Sequence, residues 1–137
     1  MKDQFYSKNA DDDVLEICLT LFKKCNLKCA FCFQDHKEHI DLEYIKSIPF
    51  NIKPRLVDIL AKKKYTTICY RIWGGELFSD DIDDSMFDVY MELEDALRTI
   101  NDELGLNTKV CYSSNLVFNN TERVVKLISR YPTTVLA

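Results

Sequence analysis

Runs of apolar residues alternate with amphipathic stretches along this chain. From Leu15 to Phe22 it reads LEICLTLF, apolar and β-favouring with no Gly or Pro, which predicts a buried first strand. Asp41 stands as an N-cap before Leu42, Ile45 and Ile48, so a helix begins there. Pro49 and Pro54 are expected to interrupt it, leaving a second helical piece from Arg55 to Lys64 with Leu56, Ile59 and Leu60 inward. Thr66 to Trp73 (TTICYRIW) predicts a second strand that ends at Gly74-Gly75.

The clearest helix is Ser85 to Leu104. Met86, Tyr90, Leu93, Leu97, Ile100 and Leu104 recur at three- and four-residue steps, and Gly105 follows where a C-terminal cap belongs. Thr108–Tyr112 is a third strand, Thr121–Arg130 a short helix, and Thr133–Leu136 the start of a fourth strand. The order β-α-β-α-β-α-β predicts an α/β fold with a parallel sheet and right-handed crossovers. In such sheets ligands bind beyond the carboxyl ends of the strands. Polar clusters follow each of the first three strands: the cysteines Cys25, Cys29 and Cys32, then Gly74-Gly75-Glu76, then Ser113-Ser114-Asn115. Three separate segments therefore meet at one sheet edge.

Composition narrows the classes. The chain has 137 residues, enough for one domain with a real core, and 47% apolar against 29% charged residues excludes a disordered chain. A net charge of −4 gives no reason to expect nucleic acid as a partner. Residues 1–13 form a polar N-terminal tail ending in Asp11-Asp12-Asp13, without the pattern of a signal peptide, and residues 14–137 form the folded domain. No apolar run approaches the ~20 residues that span a bilayer, so the expected setting is cytoplasmic and free of membrane. In a reducing compartment, clustered thiols serve metals or catalysis more often than disulfides.

Six cysteines are present. Cys18, Cys69 and Cys111 fall inside predicted strands and read as small core residues. Tyr70 and Trp73 also read as core, Asp80, Asp81, Asp83 and Asp84 as charge complementing a helix dipole, and Lys62 to Lys64 as a solvated helix end. Cys25, Cys29 and Cys32 are spaced C-x3-C-x2-C. A closed zinc site needs a fourth ligand, for which His36 or His39 is available, and a ferredoxin-type cluster also takes four cysteines. Three thiolates leave one iron of a four-iron cluster open.

CNLKCAFCF followed downstream by WGGE resembles the radical S-adenosylmethionine (SAM) superfamily, which carries C-x3-C-x-aromatic-C after its first strand and a Gly-Gly-Glu-type motif after its second. The resemblance runs from about Leu15 to the C-terminus. It implies that Cys25, Cys29 and Cys32 bind a [4Fe-4S] cluster whose open iron chelates SAM. Reductive cleavage then gives a 5′-deoxyadenosyl radical that abstracts hydrogen from a substrate. By the same resemblance Phe31 lies near the adenine, Gly74, Gly75 and Glu76 receive the methionine amino group, and Ser114 and Asn115 lie near the SAM carboxylate or ribose. A reductant such as flavodoxin or ferredoxin is implied, and a peptide or protein substrate is the favoured class.

The superfamily domain has six βα units in an open barrel. About three units and the first residues of a fourth strand are expected here, a partial TIM-type barrel, truncated or completed by another segment, a second chain or a homodimer that covers the open sheet edge. The competing functional readings are a non-catalytic module of a truncated or split radical SAM enzyme, and a structural zinc-binding domain.

Overall fold

The computed structural model describes residues 13–22 and 40–136. Four strands and three helices alternate: β1 (Val14–Thr20), α1 (Leu42–Lys62), β2 (Thr67–Trp73), α2 (Asp84–Glu103), β3 (Asn107–Tyr112), α3 (Thr121–Ile128) and β4 (Thr134–Leu136). The strands pair in parallel in the order β1-β2-β3-β4. Each crossover thus joins adjacent strands, and right-handed connections of this kind put their helices on one face of the sheet.

That face holds the core. Ile68, Tyr70 and Ile72 of β2 and Val110 and Tyr112 of β3 are buried in one cluster with Ile45, Ile48, Ile52 and Leu56 of α1, Phe87, Tyr90, Leu93 and Leu97 of α2, and Val124 and Leu127 of α3. Tyr70 is fully buried, and its hydroxyl donates to Asn101 Oδ1 at 2.8 Å.

The opposite face has a different character. In register, Cys18, Arg71 and Cys111 form one row across β1, β2 and β3, with Glu16, Cys69 and Lys109 forming the next. Arg71 reaches Glu16 at 3.3 Å and lies 3.8 Å from the Cys111 sulfur. The three strand cysteines therefore do not belong to the helix-covered core. Cys69 and Cys111 are buried on the other face and Cys18 is exposed, because strand alternation assigns them opposite to Ile17, Ile68 and Val110. Trp73, two positions beyond Arg71, is half-buried on this same side and is not a core residue.

The prolines do not break α1. One helix runs through Pro49 and Pro54, with Asp41 Oδ1 accepting from the Tyr44 amide at 3.1 Å as its N-cap. Two interior prolines cost about 6 kcal/mol together, at ~3 each. Burying Ile45, Ile48, Ile52 and Leu56 returns about 6–12 kcal/mol, so packing of the inward stripe outweighs the two lost hydrogen bonds. Ile59, expected inward, is 37% exposed, while Leu60 is partly buried. Gly105 caps α2 at φ 73°, the left-handed conformation for which glycine is suited. No helix among the described residues is long and apolar enough to cross a membrane.

Candidate functional site

The carboxyl ends of β1, β2 and β3 meet through short-range contacts. The Leu21 amide donates to the Trp73 carbonyl at 2.8 Å, and the Ser113 amide to the Ile72 carbonyl at 3.0 Å. Gly74 lies immediately beyond β2. A Cβ there would stand 2.9 Å from the Phe22 carbonyl oxygen and 3.1 Å from its ring. Only glycine permits this approach, so Gly74 seats the end of β2 against Phe22, the residue from which the cysteine-bearing segment departs in sequence. Gly75 follows, partly exposed.

Glu76 is the centre of the arrangement. It is 1% exposed. Its Oε2 accepts from the Phe78 amide and the Ser114 hydroxyl, both at 2.9 Å, and its Oε1 accepts from the Asn115 amide at 2.6 Å. The loop after β2 and the loop after β3 are thereby joined through one carboxylate. Ser114 Oγ in turn accepts from the Leu116 amide at 2.9 Å, and Asn115 Oδ1 accepts from the Val117 amide at 2.8 Å. Leu116 has φ 65°, a left-handed conformation that costs a non-glycine residue about 1–2 kcal/mol. Its side chain is 62% exposed.

Two further ties fix the same loops. Asp80 accepts from the amides of Asn119 and Asn120 and from Asn119 Nδ2, at 2.9–3.0 Å. These bonds hold the Asp80 carboxyl below the usual carboxylate range. Asp80 thus serves the start of α3, where Asn120, the N-cap, makes no side-chain cap bond of its own. Arg123 of α3 reaches back to donate to the carbonyls of Ile82 (2.6 Å) and Ser79 (2.9 Å), with its guanidinium 4.3 Å from the Phe87 ring. Beneath the loops, Phe78 packs against Phe87, Tyr90, Tyr112 and Phe118 at centroid distances of 5.7–6.3 Å.

Of the residues singled out from the sequence, Glu76, Ser114 and Asn115 are brought into direct contact, with Gly74 and Gly75 beside them. Cys25, Cys29, Cys32, Phe31, His36 and His39 lie outside the described residues. Asp80, which the sequence assigns to a helix dipole, joins this edge instead, together with Phe78, Leu116 and Arg123, for which the sequence carries no motif. An Asn-Asn-Thr helix start that depends on an acid elsewhere was the only available clue to Asp80. Among the described residues no three His, Cys, Asp or Glu side chains gather as a metal site. An apolar groove between α1 and α2, lined by Pro49, Phe50, Pro54, Val57 and Ile100, lies in the helix layer, apart from this edge.

Comparison of the chain with known protein families, curated proteins and solved structures returns no match.

Proposed function

We propose that this protein is a radical SAM protein, whose sheet is part of a TIM-type barrel and whose Cys25, Cys29 and Cys32 hold a [4Fe-4S] cluster with one iron left open for SAM. The observation that carries the reading is the convergence at the sheet edge. Gly74 packs on Phe22, three residues before Cys25, and Glu76 bonds to Ser114 and Asn115. The two segments that resemble the superfamily in sequence follow β1 and β2, which are neighbours in the sheet. The donor set fits as well: three thiols in one short segment suit iron–sulfur ligation, and Gly75, partly exposed just beyond β2, presents backbone without a side chain to a ligand. Bound there, the cluster and SAM supply one-electron chemistry that yields a hydrogen-abstracting radical. The chain's own part is to hold the ligand, orient it and exclude water. A peptide or protein is the proposed substrate class, and a flavodoxin- or ferredoxin-type reductant the electron source.

Anaerobic reconstitution with iron and sulfide tests this. The expected outcome is about four iron and four sulfide per chain, with a spectrum that changes when SAM is added. Cys29→Ala should abolish both. A cluster indifferent to SAM, or protein purified without oxygen that carries zinc near one equivalent and no iron, would reject the reading.

A further inference from the structure

By the sequence resemblance, Glu76 would meet an ammonium group with its charge. The structure gives that carboxylate other work. We propose that Glu76 is a positioning residue: it holds the Ser114–Val117 loop at the strand edge and contributes to SAM binding through that loop, without a charge pair of its own with the ligand's ammonium. The inference takes its ligand from the radical SAM reading.

A carboxylate offers about four acceptor positions. Three are already filled from inside the protein, by the Phe78 amide, the Ser114 hydroxyl and the Asn115 amide. With 1% of the residue's surface open, an ammonium carrying three donors has little access to the fourth. The chain of bonds then leads outward. The Leu116 amide donates to Ser114 Oγ, and the Ser114 hydroxyl donates to Glu76. Glu76 therefore fixes the hydroxyl that fixes Leu116.

Leu116 supplies the second observation. It occupies a left-handed conformation that glycine adopts freely, yet its side chain is 62% exposed, and Val117 beside it is 49% exposed. Burial among the described residues does not account for an apolar side chain in that place, and a turn alone would be served by glycine. Strain kept at a sheet edge by a buried network marks backbone set in advance for a ligand. The exposed side chains of Leu116 and Val117 thus belong to a loop whose first residues, Ser114 and Asn115, are held by Glu76.

The test compares Glu76→Gln, Ser114→Ala and the double variant in the reconstituted protein. Amide hydrogen exchange at residues 114–117 is read without ligand, and SAM affinity by calorimetric titration. A glutamine retains one acceptor oxygen, so it cannot satisfy all three donors. Expected are faster exchange at Leu116 and Val117 in both single variants and SAM affinity reduced on the order of tenfold in each. The double variant should bind SAM no more weakly than Glu76→Gln alone, since both act on one loop. Weakened SAM binding in Glu76→Gln with normal exchange, and wild-type affinity in Ser114→Ala, would overturn the proposal in favour of a direct charge pair. Faster exchange with unchanged SAM affinity would reduce Glu76 to a structural tie and also overturn it. A wild-type protein that takes up no SAM would reject the radical SAM reading instead, and with it the role in binding, while the exchange data still report whether Glu76 holds the loop. Should Glu76→Gln fail to fold, Ser114→Ala carries the same two readouts.

Discussion

Two glutamates among the described residues are buried, and they are held in different ways. Glu94, on α2, is fully buried. It accepts from Tyr112 Oη at 2.8 Å, Thr134 Oγ1 at 2.5 Å and Arg98 Nε at 3.0 Å. Arg98 also donates to Thr133 and Thr134 and lies over the Tyr131 ring. A countercharge is therefore built in, and the network ties α2 to β3 and to the short strand β4. Burial, with Glu94 adding to it, pushes the Tyr112 hydroxyl well above its ordinary pKa, so it stays a donor. Glu76 has only neutral donors among its described partners, two amides and a hydroxyl, and they join loops instead of regular elements. A desolvated charge with its counterion inside the fold secures architecture. One held by dipoles alone defines the shape of a surface.

That contrast predicts an order of effects. Glu94→Ala strands the guanidinium of Arg98 and the hydroxyls of Tyr112 and Thr134, and should cost about 3–5 kcal/mol of unfolding free energy in denaturant titration. A loss below about 1 kcal/mol would show that β4 does not depend on it. Glu76→Ala should cost less, about 2 kcal/mol, since two of its three donors, on Ser114 and Asn115, lie in a loop that water can reach while only the Phe78 amide is left buried. Its signature is local: exchange rises in the loops after β2 and β3, while the amides of β2 and β3 keep their protection. Equal loss of protection throughout would erase the distinction between the two acids. Asp80 is exposed and should give the smallest effect. Its pKa is lowered in the fold by the amides of Asn120 and Asn119. Its contribution is therefore complete above the ordinary carboxylate range near ~4 and fades as pH falls through the lowered folded value. Amides 119–123 should gain exchange on the acid side, and Asp80→Asn, which keeps an acceptor but cannot titrate, should flatten that dependence.

Much of this was legible in the sequence, for identifiable reasons. Strand and helix positions followed from apolar periodicity, and Gly105 stopped α2 where a C-terminal glycine should. Convergence of Glu76 with Ser114 and Asn115 followed from topology alone, because parallel βα units bring successive strand ends to one edge. The unbroken α1 was not legible. Two prolines argue locally for a break, and only the burial of Ile45, Ile48, Ile52 and Leu56 on both sides of them decides otherwise. Which way Glu76 faces was also hidden, since a motif names a residue but not its donors. Leu116 left no signal at all: SSNLVF contains no glycine to announce a left-handed residue.

The sheet face opposite the three described helices has a consequence for thiol chemistry. Cys18 and Cys111 both sit in register with Arg71, two strand spacings apart, or about 9.6 Å between backbones. Cys69 lies one row away, on the diagonals. A disulfide needs Cα atoms within about 7 Å, so the folded sheet keeps Cys18 and Cys111 from pairing directly and disfavours the diagonal pairs. Burial, reinforced by Glu16, raises the Cys69 thiol above its ordinary pKa and leaves it a poor nucleophile. Of the three, Cys18 alone is exposed to oxidants or alkylating reagents. The same register that builds the sheet thus divides the three strand thiols, keeping Cys69 and Cys111 out of exchange reactions and leaving Cys18 open to them.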